Sequence, residues 1–291
     1  MTKGQLLHDA LGKERPLLAI GAFDAFTARM AAPAEFHAVY LGSFAAAASM
    51  CGLPDFGLLS ATEMADHMRR LTSATHLPCI ADADTGYGNA LNVQRTVRLY
   101  EAAGVAAMHI EDQITPKKCG HIAGKQVIPA AEMVQKIRAA VAARQDPAFT
   151  IIARTDARAV TGLDDAIARC RAYADAGADA LFVDAPETVE EVARVGRELA
   201  STGKKLVFNA ARTGKTPPLK ASRVGELGFH IMIFPIEPLL AAYPVMKEVM
   251  AVIRRDGSPE AMADRLAQFA EINDVVGLKD YYHAEREFIV R

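Results

Sequence analysis

Residues 175–186 read DAGADALFVDAP. Gly177 stands where a helix-forming run stops and an apolar run begins. Glycine tolerates the left-handed conformation that closes a helix, so the junction reads as helix, stop, strand. The apolar run ends on an acid, Asp184. The same joint recurs as AAGVAA (102–107) and ELGFHI (226–231). Outward from these joints, eight short apolar runs read as strands: LLAIGA (17–22), AVYLGS (38–43), PCIADAD (78–84), AAMHIED (106–112), FTIIARTD (149–156), ALFVDAP (180–186), KLVFNAA (205–211) and HIMIFPI (230–236). Each is followed by helical spacing or good helix formers, as in ATEMADHMRRLTSAT (61–75) and GLDDAIARCRAYADAG (162–177). Alternating strands and helices imply a parallel sheet, and eight units imply closure into an α/β, (β/α)8 TIM-type barrel. No low-complexity linker divides residues 1–291, which read as one barrel domain. From 238 to 291 the pattern is helical only. That extension is too short for a core of its own and is expected to pack on the barrel or to be exchanged with a neighbouring subunit.

The composition excludes several classes. A chain of 291 residues, 51% of them hydrophobic, has ample material for a barrel core. A formal net charge of −2 gives no ground for nucleic-acid or membrane partners. Cys51, Cys79, Cys119 and Cys170 are scattered, with neither a disulfide framework nor a zinc-ribbon spacing. The N-terminal segment lacks the apolar core of a signal peptide, and no apolar run approaches the ~20 residues that span a bilayer. These features predict a soluble, cytoplasmic protein.

The active site of such a barrel lies at the C-terminal ends of its strands. Tyr40 and Ser43 stand at the end of strand 2, Asp82 and Asp84 at strand 3, and His109, Glu111 and Asp112 at strand 4. Arg154 and Asp156 end strand 5, Asp184 ends strand 6, and Asn209 ends strand 7, with Arg212 close behind. Asp82 and Asp84, two apart, face the same way. They either share a hard cation, Mg²⁺ or Mn²⁺ rather than zinc, or cap the following helix. Glu111 from the next strand favours the cation. Arg154 suits a bidentate carboxylate clamp, with an ion pair to Asp156 or Asp184 as its alternative. Tyr40 and His109 read first as buried residues. The segment 113–128, QITPKKCGHIAGKQVI, is long for such a connection and has the character of a lid. It carries Cys119 between Lys117-Lys118 and Gly120-His121, a setting that lowers a thiol pKa and suits proton transfer.

The run KKCGH after IEDQ, with DADTGYGN upstream and ARTDA downstream, resembles the isocitrate lyase/phosphoenolpyruvate mutase superfamily. The likeness runs through most of the chain and includes GAFDA (21–25), LPD (53–55) and Asn209 with GKTP (214–217). The chain length and KKCGH match the short carbon–carbon lyases, of the 2,3-dimethylmalate lyase and 2-methylisocitrate lyase kind. The resemblance implies Mg²⁺-dependent cleavage of a 2-hydroxy di- or tricarboxylate into a 2-oxo acid and a second carboxylate. It implies Asp84 as a direct metal ligand, with Asp82, Asp55 and Glu111 in the same metal site. Cys119 corresponds to the general acid, Lys117 and His121 to its loop partners, and Tyr40 to the proposed base. Gly120, Arg154 and Asn209 correspond to substrate contacts. The resemblance further implies a homotetramer with exchanged C-terminal helices. Related branches hydrolyse or decarboxylate oxaloacetate.

Four positions depart from the family pattern. Leu41-Gly42-Ser43 follows Tyr40 where x-Ser-Gly is usual, which leaves Ser43 as a substitute substrate contact. Asp184 replaces a glutamate. Arg212 replaces an acid near the pocket and is expected to pair with Asp184 or to serve a substrate carboxylate. Leu240 stands where methylisocitrate lyases carry an arginine for a third carboxylate. The last change favours a smaller or more apolar dicarboxylate, of the alkylmalate type.

Overall fold

The computed structural model describes residues 1–120, 122–212 and 214–289. The eight apolar runs form eight strands: β1 (Leu17–Gly21), β2 (Ala38–Leu41), β3 (Cys79–Asp82), β4 (Ala107–Glu111), β5 (Thr150–Thr155), β6 (Ala180–Val183), β7 (Lys205–Asn209) and β8 (Ile231–Phe234). They pair in parallel and in chain order, and β8 returns to β1 to close the barrel. Gly104, Gly177 and Gly228, the glycines of the three joints, have φ of +81°, +101° and +95°. Each ends a helical segment in the region that L side chains disfavour.

Strand side chains alternate between two packed layers, as period-two geometry requires. One set, including Leu17, Ala19, Ala38, Tyr40, Ile80, Ala107, Ile152, Phe182, Val207 and Ile231, fills the barrel interior. The other set, including Val39, Leu41, Ala81, Met108, Ile110, Ala153, Leu181 and Phe208, packs outward against the helices. Full burial of a side chain such as Phe182 stabilises by about 1.5–3 kcal/mol.

An N-terminal helix, α1 (Lys3–Lys13), begins at a capping box of Thr2 and Gln5. Its Leu7 and Ala10 pack with the interior set, at the residues that begin the strands. The helices that follow are α2 (Ala25–Met30), α3 (Ser43–Ala46), α4 (Ala61–Ala74), α5 (Ala90–Ala102), α6 (Ala130–Ala143), α7 (Leu163–Asp175), α8 (Val189–Leu199) and α9 (Ala221–Glu226). A π-helical turn, Ala47–Cys51, extends α3.

Two compact units divide the chain at residues 237 and 238. The second contains most of α10 (Glu237–Asp256), a 3-10 turn (Glu260–Arg265), α11 (Phe269–Val276) and α12 (Leu278–Phe288). Gly277, at φ +77°, separates the last two helices. Met250, Phe269, Tyr281 and Phe288 of this unit are exposed. Among the described residues no helix is long and apolar enough to cross a membrane.

Candidate active site

Inward-facing positions continue past the apolar layer into a polar one. Tyr40, Asp82, His109, Glu111, Arg154, Asp184 and Asn209 each lie two or four residues beyond an interior apolar residue on the same strand or its extension. The register sets them side by side: Asp82 opposite His109, and Glu111 opposite Arg154. All are at most 9% exposed.

The β2–β3 wall is acidic. The Asp82 carboxylate accepts from the Ser43 hydroxyl at 2.7 Å and from the Asp84 N–H at 2.9 Å. Burial pushes Asp82 up, but His109, Lys117, Arg154 and the Ser43 hydrogen bond outweigh it and hold the carboxyl well below its usual range. Asp84 follows the strand at φ +46°. Burial, with Asp82 and Asp55 nearby, raises it to about 6 against the pull of Lys117. The helix-capping alternative for this pair does not hold, because Asn89 caps α5 through the N–H groups of Leu91 and Asn92.

Lys117 reaches into this wall. Its ammonium lies 2.5 Å from Asp55, 2.9 Å from Asp84 and 2.9 Å from the Ser43 hydroxyl. The lysine expected beside Cys119 is thus seated among the acids, and Ser43, expected at the substrate, gives its hydroxyl to Asp82 and Asp55. Both placements are long-range ion-pair geometry that loop composition does not reveal.

Tyr40 donates or accepts at 2.7 Å with His109 Nε2, depending on the tautomer. His109 Nδ1 lies 3.6 Å from an Asp82 oxygen, which favours a proton on Nδ1 and a lone pair on Nε2 facing the phenol. Burial lowers His109 to about 4 despite Asp82, so the ring is neutral. Burial and Asp82 raise the Tyr40 phenol well above its ordinary value. His109 is therefore part of the site rather than only of the core.

The β4–β6 wall is built around Arg154. Its fork binds Asp156 at 2.9 and 3.1 Å, and it approaches Glu111 at 3.2 Å and Asp184 at 3.3 Å. The guanidinium also lies 5.2 Å above the Phe182 ring. The ion-pair alternative for Arg154 is thus realised. Asn209 donates to Asp184 at 3.4 Å and accepts from the Ala211 N–H at 3.1 Å. Asp112, fully buried, supports this wall from behind by accepting from Thr155, Tyr173 and the Asp156 N–H.

The long loop is a folded excursion. Gln113 bridges Val127, Ile114 donates to the Gln126 carbonyl, and Ile128 donates to that of Asp112. Cys119 is half-buried, and its N–H donates to the Asp55 carbonyl at 3.2 Å. A Cβ on Gly120 would stand 2.1 Å from an Asp184 oxygen and 2.6 Å from an Arg154 nitrogen, so the loop rests directly on that pair. His121, expected as a loop partner of Cys119, lies outside the described residues. Lys125, which the sequence reading passed over, is buried against Asp156. Its only sequence signal is a lysine at the end of a glycine-containing loop.

Arg212 does not sit in a buried pocket. It is exposed, and its N–H donates to Glu237 at 2.8 Å. Exposure removes the need for the buried anionic partner that its position suggested. Leu240 lies in α10, 38% exposed.

The donor set fits a hard divalent cation. Among the described residues six buried carboxylates (Asp55, Asp82, Asp84, Glu111, Asp156 and Asp184) face three cations (Lys117, Lys125 and Arg154). Both Glu111 oxygens are buried without a hydrogen bond, with Arg154 approaching one of them at 3.2 Å, while Asp84 Oδ1 is faced by the Lys117 ammonium at 2.9 Å. Among the described residues no three or more His, Cys, Asp or Glu side chains are grouped so that they could hold a metal ion by themselves. Carboxylate oxygens are hard ligands of the kind Mg²⁺ takes, and Mg²⁺ keeps several waters and needs few protein carboxylates.

Comparison with known proteins agrees with this geometry. The family model for phosphoenolpyruvate phosphomutase matches residues 7–254. The chain is 40% identical to 2,3-dimethylmalate lyase of Eubacterium barkeri, over 99% of each chain. It is 38% identical to 2-methylisocitrate lyase of Aeropyrum pernix, over 98% of this chain and 90% of the other. Among solved structures, a 2,3-dimethylmalate lyase superposes with a TM-score of 0.92 at 37% identity, covering 99% of this chain and 95% of that one. An oxaloacetate acetylhydrolase bound to 3,3-difluorooxalacetate gives 0.90 at 32% identity, covering 98% and 97%. A phosphonopyruvate hydrolase bound to oxalate and Mg²⁺ gives 0.88 at 33% identity, covering 99% of both.

Proposed function

We propose that this chain, which belongs to the PEP mutase/isocitrate lyase superfamily, is a Mg²⁺-dependent carbon–carbon lyase. Its substrate is a 2-hydroxy dicarboxylate of the alkylmalate type, cleaved to a 2-oxo acid such as pyruvate and a second carboxylate. The observation that carries this reading is the seating of the Cys119 loop on Arg154 and Asp184, opposite an acidic wall, with both Glu111 oxygens buried and without a hydrogen bond.

Asp84 would hold the cation directly, with Asp55, Asp82 and Glu111 around it; Mn²⁺ suits the same oxygens. When bound, the cation supplies Lewis-acid stabilisation of charge on the substrate oxygens. Tyr40 takes the proton of the 2-hydroxyl while passing its own towards the His109 Nε2 lone pair, 2.7 Å away. A free phenolate is not needed, which accords with the raised Tyr40 pKa. The oxygen's electron pair forms the carbonyl, the C2–C3 bond breaks, and its pair moves to C3 and onto the adjoining carboxylate. The Cys119 thiol returns one proton to C3. Arg154, Asn209 and the Gly120 N–H orient the carboxylates, with Asp184 holding Arg154 and Asn209 in place. Lys117 fixes the other side of the loop, and His121 is assigned to the loop's acid machinery from the family motif alone.

The chain is proposed to be cytoplasmic and to assemble as a homotetramer through residues 238–291, which present Phe269, Tyr281 and Phe288 to solvent. That extension is proposed to be an appendage of the barrel domain.

The test is 2-oxo-acid release with Mg²⁺ from 2,3-dimethylmalate, 2-methylisocitrate, isocitrate, other alkylated malates and oxaloacetate, each with Cys119→Ser beside it. The expected result is turnover of an alkylated malate that falls by about 10²-fold or more in the variant. Activity on oxaloacetate alone would replace the lyase by the hydrolase or decarboxylase reading. Turnover of 2-methylisocitrate alone would move the substrate to the tricarboxylate.

A further inference from the structure

We infer that Lys125 is a positioning residue: it latches the 113–127 loop onto the ends of β5 and β6 and so fixes where Cys119 sits. The inference takes the role of Cys119 from the reading above.

A lysine is among the residues least often buried. The Lys125 side chain is nevertheless 2% exposed, and its ammonium is fully engaged. It donates to the Gly120 carbonyl at 2.5 Å and to Asp156 at 2.7 Å, and lies 3.6 Å from Asp184. Neutralising Asp156 is not its distinctive contribution, because the Arg154 fork already binds that carboxylate. The distinctive bond is to Gly120, one residue after Cys119. It joins the tip of the loop to the same carboxylates that hold Arg154. Lys118 makes a superficially similar bond to the Gly124 carbonyl at 3.0 Å, but that ties the loop only to itself.

The contact at Gly120 explains why a latch is required. The loop backbone rests against Asp184 and Arg154 with no room for a Cβ. Such close approach excludes water only while something holds the backbone down. A charge-assisted hydrogen bond across six residues of loop supplies that hold. Without it the loop exchanges with open forms, and Cys119 leaves the carbon it is to protonate.

Thiol labelling reads the latch independently of turnover. Cys79 and Cys170 are buried, and burial pushes both thiols up, Cys79 to about 12. Cys51 is exposed and is removed as Cys51→Ser. In that background, iodoacetamide labelling of Cys119 is followed by peptide mass spectrometry across pH. The high-pH plateau reports access, and the midpoint reports charge near the thiol. Lys125→Met is expected to raise the plateau about tenfold or more, the size of one lost hydrogen bond to a charged group. It is also expected to lower kcat at least as much, with KM altered less than about threefold. Lys125→Arg should recover part of both. Lys125→Gln, with a donor but no charge, should lie between and serves as the test if the methionine variant does not fold.

An unchanged Cys119 plateau in folded Lys125→Met or Lys125→Gln would overturn the inference. Parallel labelling of Cys79 and Cys170 would also overturn it, because the residue would then hold the barrel rather than the loop. If no substrate in the panel is turned over, the lyase reading fails, while the labelling result still decides the latch.

Discussion

Gly120→Ala should abolish most turnover while leaving the fold intact. The added Cβ would lie 2.1 Å from Asp184 Oδ2, 2.6 Å from Arg154 Nη2 and 2.9 Å from Asp184 Cγ. The shortest ordinary contact is 3.4 Å, so about 1.3 Å of separation must be found. The side chains cannot supply it cheaply. Asp184 is fully buried and tied to Arg154, Asn209 and Lys125, and Arg154 is itself forked onto Asp156. The loop must therefore lift, and it carries Cys119 with it. A misplacement of about 1 Å at a reacting group costs about 10²-fold in rate. The expected kcat is lower by about that factor. Global stability should change little, because an alanine also restricts the unfolded chain, worth about 0.4–1 kcal/mol. Steady-state kinetics with a thermal melt on the same sample decides the matter. A folded Gly120→Ala enzyme with kcat within threefold of wild type would refute the claim that catalysis requires the loop to rest on the Asp184–Arg154 pair.

Two further outcomes follow from the networks behind the site. Asp112→Ala removes the acceptor for Thr155, Tyr173, Arg169 and the Asp156 N–H, leaving the largely buried Arg169 without this partner. The expected loss is about 3–5 kcal/mol, or a fall in Tm of roughly 6–20 °C; a shift under about 3 °C would contradict it. His230 is held neutral, lowered to about 4 by burial, Arg15 and Lys205, while its Nδ1 accepts from the Leu206 N–H. The unfolded chain binds the proton near pH 6.5 and the folded chain near 4, so this residue makes stability fall as pH drops through that window. Its partial exposure reduces the full effect to about 1–2 kcal/mol. His230→Gln, which keeps an acceptor, should flatten that part of the denaturation profile, and an unaltered slope would discount the residue.

The strand-borne half of the site was legible because a strand has a fixed period. Once Tyr40, Asp82, Glu111, Arg154, Asp184 and Asn209 are placed at the ends of apolar runs, two-residue alternation points them all into the barrel mouth. The hydrogen-bonded register then makes neighbours of residues far apart in the chain, as with Asp82 and His109. Loop residues have no such rule. Lys117 lies 62 positions from Asp55, and nothing local to KKCGH specifies that its ammonium crosses to the acidic wall. Arg212 shows the converse. Proximity in sequence to Asn209 suggested the pocket, but the chain turns outward after β7, and the side chain is exposed.

The two lysines give the loop a feature that neither supplies alone. Lys117 binds Asp55 and Asp84 on one wall, and Lys125 binds Asp156 on the other. Cys119 lies between them in the chain, two residues after the first and six before the second. Seating of the thiol therefore depends on carboxylates at both walls. A single anchor would leave the loop free to pivot about it. Two anchors on opposite walls remove that freedom and fix both the depth and the direction of the thiol. Proton delivery to carbon needs this control, because a carbanion offers one lone pair along one direction, and solvent reaching it first would quench the intermediate without the enzyme's geometry.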